Sequence, residues 1–165
     1  MQLRPCLRPR HAEMHPGITP GGGTPVGTIT YGRTLTVADY NRLRRAVGWD
    51  KIRKRQAQAG LAHSALVVAA RDAEQTVGMA RLVTDYGYVA YIADVVVSPE
   101  YQGRGIAKAM LGMILQHIKD QLEDGEQVMV FLLAAKGREA FYRPFGFLDR
   151  PNDTYGAGMS MWLKK

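Results

Sequence analysis

The sequence predicts one mixed α/β domain with a mostly antiparallel central sheet flanked by helices. Three short apolar segments between residues 65 and 98 are joined by tight polar turns, a pattern typical of an antiparallel meander. Segments with helical spacing lie before and after them. Of the 165 residues 46% are apolar, which is enough for one core. No apolar stretch approaches the ~18 residues of a membrane span, so no membrane partner is expected.

The domain is expected to span residues 28–165, after a flexible leader at residues 1–27. The leader is rich in Pro and Gly, and such composition cannot bury enough apolar surface to offset the entropy of ordering. Its basic start lacks the apolar segment of a secretion signal, so a cytoplasmic protein is expected. The single cysteine, Cys6, excludes an internal disulfide and a cysteine-rich zinc site, and no metal is predicted.

The domain begins with a short strand and two helices. Residues 28–34 suit a strand, and Thr36 suits a helix N-cap, followed by Asp39 three positions later. The apolar side chains of that helix share one face: Val37, Tyr40, Leu43 and Val47. A second helix is predicted at about 50–58, ended by Gly60. Its weak apolar face indicates an exposed element.

The meander strands are predicted at about 65–70, 76–84 and 88–98. A helix at about 105–121 follows, and its expected buried side chains are those of Ile106, Met110, Ile114 and Ile118. A uniformly apolar strand at 128–134 is expected to be covered on both faces. A helix at about 137–144 and a closing strand at 159–163 complete the order.

The formal net charge of +7 is unevenly distributed. Residues 1–60 contain eleven basic and three acidic side chains, whereas residues 61–165 contain eleven and twelve. Most of the excess lies in one cluster: Arg42, Arg44, Arg45, Lys51, Arg53, Lys54 and Arg55. Such a cluster is either a solvated helix face or a surface for nucleic acid, an anionic membrane or an acidic substrate.

A glycine-containing turn, Gln102 to Ala107 (QGRGIA), joins the third meander strand to the long helix. The free N–H groups of the helix's first turn lie at the positive end of its dipole, which favours phosphate or pyrophosphate. Arg104 and Lys108 add positive charge at the rim. A P-loop is excluded because no Gly-Lys-Ser/Thr is present, and the glycine spacing does not support a dinucleotide-binding fold.

The same turn resembles the Q/R-x-x-G-x-G/A signature of the GNAT superfamily of acetyl-CoA-dependent N-acetyltransferases. The segment Ala140 to Phe147 (AFYRPFGF) resembles the family's second signature, A-x-x-F-Y-x-x-x-G-F. The two segments occur in the family's order, and the order of elements fits the family from about residue 28 to the end of the chain.

The resemblance implies acetyl-CoA as co-substrate. Its pyrophosphate is expected on the backbone of Gln102, Gly103, Arg104, Gly105, Ile106 and Ala107, with Lys108 at the rim. The pantetheine arm is expected to pair like an extra strand with Val95, Val96 and Val97. A bulge near Val96 would leave an N–H to polarise the thioester carbonyl. Phe141 and Arg143 are expected to flank the coenzyme.

Tyr142 matches the family position whose hydroxyl commonly protonates the departing thiolate; the alternative is a core tyrosine. Asp94 is the candidate base, because it interrupts an apolar strand and a buried carboxylate requires a reason. The alternatives are a structural role for Asp94, with Glu100 or a chain of waters accepting the proton.

The expected reaction is direct attack of a primary amine, from a small molecule or a peptide or protein, on acetyl-CoA in a ternary complex. Trp49, Tyr31 and Tyr155 are the expected lining of the acceptor pocket. One rival function is a nucleic-acid or ribosome-associated binding module that uses residues 42–55, although nucleic acid is the less favoured partner. The other is a catalytically silent coenzyme-binding regulatory domain. Because dimers are common in the family, a homodimer is also expected.

Overall fold

A computed structural model describes residues 28–163 of the chain; the predicted leader, with Cys6, lies outside them. Five strands form one sheet in the order β1-β2-β3-β4-β5. The strands are β1 Ile29–Gly32, β2 Leu66–Asp72, β3 Gln75–Thr84, β4 Val89–Val97 and β5 Met129–Leu132. The helices are α1 Val37–Ala46, α2 Lys54–Ala62, α3 Ile106–Lys119 and α4 Glu139–Tyr142, with 3₁₀ turns at Pro99–Tyr101 and Arg143–Phe145.

The meander is confirmed, because β1 to β4 pair antiparallel in chain order. The fifth strand pairs parallel to β4, so the sheet is mixed and mostly antiparallel, as predicted. The β4–β5 ladder runs from Val89 opposite Met129 to Ile92 opposite Leu132 and then ends. Strand β5 ends at Leu132, so the C-terminal half of β4, beyond Ile92, has no ladder partner on that side among the described residues.

Helix α1 begins where the sequence predicts. The Thr36 side chain accepts a hydrogen bond from the backbone N–H of Asp39 at 3.0 Å, which caps the helix. Tyr40 and Leu43 are buried against the sheet face that carries Met79. This face, which α1 and α2 cover, is called the α1/α2 face below.

Helix α3 packs on the opposite face of the sheet and forms the main core. All four predicted residues, Ile106, Met110, Ile114 and Ile118, are buried there. The 3.6-residue period of their spacing places them on one side of the helix, which fixes how α3 lies on the strands. No helix within residues 28–163 is long and apolar enough to cross a bilayer.

Helix α2 differs from the prediction at both ends. Its start is later because the Asn41 amide bonds both backbone groups of Ile52, at 2.8 and 3.0 Å, and holds that segment outside the helix. Gly60 does not end it. The Gly60 carbonyl accepts hydrogen bonds from Ser64 Oγ at 2.7 Å and Arg81 Nη1 at 3.0 Å, and these contacts offset the low helix propensity of glycine.

The predictions for the last two strands are wrong. Strand β5 has four residues of alternating exposure rather than two buried faces, because it is the edge of the sheet. Residues 159–163 form no strand. Four apolar side chains there are between 77% and 96% exposed: Met159, Met161, Trp162 and Leu163. Apolar composition favours strand conformation, but a strand forms only where a neighbour supplies backbone partners.

Candidate active site

The first turn of α3 presents unpaired backbone donors. The first intrahelical bond runs from Ala109 N–H to the Gly105 carbonyl at 3.0 Å, so the N–H groups of the three residues before Ala109 have no intrahelical acceptor. No side chain caps this end. Gly103 and Gly105 have φ of 75° and 78°, a left-handed conformation that L side chains disfavour. The free N–H groups of residues 106–108, together called the cradle below, therefore suit an anion.

Two contacts hold this turn against the sheet, and a third lies within the turn. Gln102 Nε2 donates to the Val97 carbonyl at 3.0 Å, so the turn is tied to the end of β4. The Tyr101 hydroxyl donates to Asp72 Oδ2 at 3.0 Å, which ties it to β2. The Arg104 guanidinium lies 4.7 Å from the centre of the Tyr101 ring. The donors are therefore fixed before any ligand arrives.

A bulge interrupts β4 just before its end. Met79 pairs with Val96 and Arg81 with Ala93, so two β4 residues oppose one residue of β3. Asp94 has a φ of 49° at this point. Val95 and Val97 pack towards α3, whereas Val96 packs on the α1/α2 face. The bulge thus lies beyond the end of the β4–β5 ladder, where this edge of β4 has no strand partner among the described residues.

Tyr142 ends α4 and packs against the main core with Phe141. The Phe141 and Tyr142 rings meet edge to face, with their centres 4.9 Å apart. Burial raises the pKa of the Tyr142 hydroxyl above its usual value, and the nearby Tyr91 raises it further. Tyr142 therefore keeps its proton at neutral pH and is available as a donor.

Asp94 is enclosed by two cations and a hydroxyl. Its Oδ1 accepts from Arg44 Nη1 at 3.0 Å, and its Oδ2 accepts from Arg81 Nε at 2.6 Å and from the Tyr40 hydroxyl at 2.9 Å. The Asp94 side chain is 11% exposed, and those of Arg44 and Arg81 are 13% and 14% exposed. The network joins α1, β3 and β4 at the bulge.

Residues 34–147, more than half of the chain, match the acetyltransferase (GNAT) family. The chain belongs to this family. It is therefore an N-acetyltransferase, and acetyl-CoA is the acetyl donor that the family uses.

Individual GNAT relatives agree with this assignment. An uncharacterized N-acetyltransferase, ycf52, from Porphyra purpurea is 28% identical over 75% of this chain and 71% of its own. The crystal structure of a probable acetyltransferase from methicillin-resistant Staphylococcus aureus superposes with a TM-score of 0.71, at 28% identity, covering 84% of this chain and 98% of that one. N-acetylglutamate synthase from Neisseria gonorrhoeae, complexed with coenzyme A and L-arginine, shares the fold with a TM-score of 0.58. That match is 15% identical and covers 74% of this chain and 28% of the synthase.

The cradle and the open edge of β4 fit the two parts of acetyl-CoA. Unpaired N–H groups at the start of α3 suit the pyrophosphate, and Arg104 and Lys108 are exposed beside them. The free backbone of the 95–97 segment suits the amides of an extended pantetheine arm. Arg143, predicted to flank the coenzyme, is exposed and paired with Asp149 at 2.7 Å.

The predicted acceptor residues are not all brought together. The Trp49 ring lies 5.2 Å from Arg44 Cζ, beside the Asp94 network. Tyr31 is separated from it, because β1 is the far edge of the sheet and Tyr31 packs on the α3 side. Tyr155 lies in an exposed loop, with its ring 4.9 Å from Arg150 Cζ. Glu100, the alternative base, is exposed and accepts a hydrogen bond from Ser98 Oγ at 2.8 Å.

The partners of Asp94 were not predicted from the sequence, although a signal was present. Arg81 interrupts the apolar run of β3 as Asp94 interrupts that of β4. Opposite charges at interruptions of neighbouring strands indicate an ion pair, because each charge needs a partner when it is buried. The spacing of Tyr40 predicts only that it lies on the buried face of α1.

The basic cluster is divided by the fold. Arg42 pairs with Asp39 on its own helix at 2.8 Å, and Arg44 turns inwards to Asp94. The others are exposed: Arg45, Lys51, Arg53, Lys54 and Arg55. Among residues 28–163, no group of three or more His, Cys, Asp or Glu side chains is placed to hold a metal ion.

Proposed function

We propose that this protein transfers an acetyl group from acetyl-CoA to a primary amine, by direct attack of the amine in a ternary complex. The observation that carries the proposal is the open C-terminal half of β4, which ends beside the donor cradle of α3. Val95, Val97, Ile106 and Tyr142 belong to one packed cluster, so the donor site and the proposed acid share a rigid frame.

Bound acetyl-CoA would supply an acetyl thioester next to the bulge of β4. The backbone of Val95, Val96 and Val97 would orient the thioester by strand-like hydrogen bonds. An N–H freed by the bulge at Asp94 and Val95 would polarise the carbonyl oxygen, where negative charge develops during attack. Because these donors are part of the sheet, they need no reorganisation when the reaction occurs.

Tyr142 is the proposed acid for the departing thiolate. Its raised pKa means that the hydroxyl holds its proton throughout the neutral range. A thiolate gains from a positioned proton donor, and this donor lies in a largely apolar cluster that favours neutral species.

The contacts of Asp94 support a positioning role. Three of its about four lone-pair positions accept hydrogen bonds from Arg44, Arg81 and Tyr40. A general base needs a free lone pair that faces the amine. We therefore assign removal of the amine proton to water at the open edge of β4, and to Asp94 the task of holding the bulge and α1 in place.

Calorimetric titration with acetyl-CoA, followed by an acetyl-CoA consumption screen, tests this function. The screen covers polyamines, amino acids, aminoglycosides, arylamines and peptide N-termini. We expect binding, and release of coenzyme A with at least one amine class. No binding at millimolar acetyl-CoA would overturn the proposal, and binding without turnover of any amine would indicate the regulatory alternative. The cytoplasmic location and the homodimer stay predictions, which cell fractionation and size-exclusion chromatography check.

The nucleic-acid alternative makes a separate prediction. Five exposed cations of the 45–55 segment would give an affinity for RNA or DNA that falls steeply with salt. Acetyl transfer depends on backbone donors and on Tyr142. We therefore expect the rate of transfer to an amine that carries no other charged group to vary little over the same salt range. Tight binding of nucleic acid with such a slope, without any amine turnover, would favour the alternative.

A further inference from the structure

The ion-pair network on the α1/α2 face has an excess of positive charge. Arg44 and Arg81 both pair with the single carboxylate of Asp94, at 3.0 and 2.6 Å. Within residues 28–163 no second carboxylate pairs with either guanidinium. One positive charge is therefore left over among side chains that are all less than 15% exposed. A charge with so little contact with water raises the free energy of the folded state unless an anion binds beside it.

Each guanidinium also retains unused donors. Arg44 donates through Nε to the Asp50 carbonyl and through Nη1 to Asp94. Arg81 donates through Nε to Asp94 and through Nη1 to Gly60 and Ser64. Neither Nη2 atom donates to any described residue. Every fully buried side-chain nitrogen and oxygen of the described part has a partner, so both Nη2 atoms reach the solvent.

The free donors lie on the α1/α2 face of the sheet, together with Tyr40 and Trp49. Trp49 stacks near Arg44, with 5.2 Å between the ring centre and Cζ, and Tyr40 bonds to Asp94 at 2.9 Å. Asp94 is also the residue of the bulge, immediately before Val95. A group bound by the two arginines would therefore be close to the proposed place of the thioester.

We propose that Arg44 and Arg81 together bind a carboxylate of the acceptor, so that the substrate is an amine that also carries a carboxylate. This inference rests on the proposed acetyl transfer. The planar guanidinium group matches a carboxylate in geometry. One carboxylate also neutralises the one excess charge, whereas a phosphate would leave the site negative. The carboxylate holds the acceptor, and its amine faces the bulge of β4.

The wild-type protein tests the inference with matched amines that differ only in the carboxylate. Suitable pairs are lysine with 1,5-diaminopentane and phenylalanine with 2-phenylethylamine. Charge-assisted hydrogen bonds of this kind predict a kcat/KM about tenfold to hundredfold higher for the carboxylate-bearing member. Equal or lower values for the carboxylate-bearing members would overturn the inference. Calorimetric binding of acetyl-CoA is measured in parallel, and its absence would count against the proposed function itself.

Two variants of α1 test whether the preference for a carboxylate comes from Arg44. Arg44→Gln should raise the KM of the carboxylate-bearing amine about tenfold more than that of its decarboxylated partner, because any disturbance of the Asp94 network affects both amines alike. Arg45→Gln is the matched control, because it removes the same charge from the exposed neighbouring position of α1. Equal increases in KM for the two variants would show general electrostatic attraction and would overturn the assignment to Arg44 and Arg81. The wild-type comparison remains decisive if Arg44→Gln fails to fold.

Discussion

Asp94 Oδ2 accepts a hydrogen bond from Arg81 Nε at 2.6 Å, and this contact joins β4 to β3 at the bulge. It explains why an aspartate stands in an otherwise apolar strand. The charge is neutralised by an arginine that interrupts the neighbouring strand, and Arg44 ties the same carboxylate to α1. The position of the bulge, and with it the open edge of β4, therefore depends on a charged network.

Asp94→Asn should destabilise the protein by about 3 kcal/mol, because it leaves two poorly hydrated guanidinium groups without an anion. Tyr40→Phe is the control, since it removes one hydrogen bond from the same oxygen and should cost about 1 kcal/mol. Urea denaturation measures both. A cost for Asp94→Asn no larger than that of Tyr40→Phe would contradict the structural role of the carboxylate.

The pH dependence of turnover separates the two roles of Asp94. If Asp94 only positions the bulge, Asp94→Asn should lower kcat by a similar factor at every pH between 6 and 9. A base would give a different result, with the activity of the variant falling most at low pH relative to the wild type. A deficit of the variant that grows steadily as the pH falls would identify Asp94 as the base, because a protonated amine needs a base most at low pH.

Tyr142→Phe should lower kcat about a hundredfold, which is the lower end of the contribution of a general acid. The Kd for acetyl-CoA should change little, because the expected coenzyme contacts are made by backbone groups. Tyr88→Phe is the matched control, since the Tyr88 side chain is exposed at a turn. Unchanged kcat in Tyr142→Phe would mean that Tyr142 only packs the core.

The raised pKa of Tyr142 has a consequence for the alkaline side of the profile. Burial disfavours the phenolate, so the neutral, donating form persists beyond the usual pKa of 10.0. We therefore expect no loss of kcat from this group below pH 10. Turnover measured from pH 7 to 10 checks this. A decline centred below pH 10 in the wild type that is absent from Tyr142→Phe would contradict it.

Replacing either of two glycines in the α3 region by alanine should change the stability of the protein, but in opposite directions. Gly105 has a φ of 78°, so Gly105→Ala should cost about 1 kcal/mol through backbone strain and should weaken acetyl-CoA binding. Gly112 lies inside α3 with nothing within 4 Å of an added Cβ, so Gly112→Ala should stabilise by about 1 kcal/mol through helix propensity. Thermal unfolding and calorimetry measure both variants. Unaltered acetyl-CoA affinity in Gly105→Ala would contradict the cradle.

Much of the fold could be predicted because the sequence patterns that specify it extend over only a few residues. The spacing of Ile106, Met110, Ile114 and Ile118 determines one buried helix face wherever the helix packs. The Thr36 cap requires only residues three positions away. The glycines after β4 mark the turn in the sequence. The free N–H groups at the start of α3 then follow from helix geometry.

The failures share one cause, which is dependence on distant partners. Gly60 stays in a helix because the Arg81 side chain, from β3, donates a hydrogen bond to its carbonyl. Residues 159–163 have strand-forming side chains but no neighbouring strand. Tyr31 and Trp49 are both aromatic and near the first helices in sequence, yet the sheet places them on opposite faces.

The sequence by itself determined the family signatures, the meander, the buried face of α3 and the anion-binding turn, because backbone periodicity and turn chemistry act over a few residues. Only the tertiary structure decided that Asp94 is shared by Arg44 and Arg81, since these residues come from three separate elements. Their pairing depends on strand register and on the packing of α1, which no local pattern encodes. The excess positive charge beside the bulge is visible only after that packing is known.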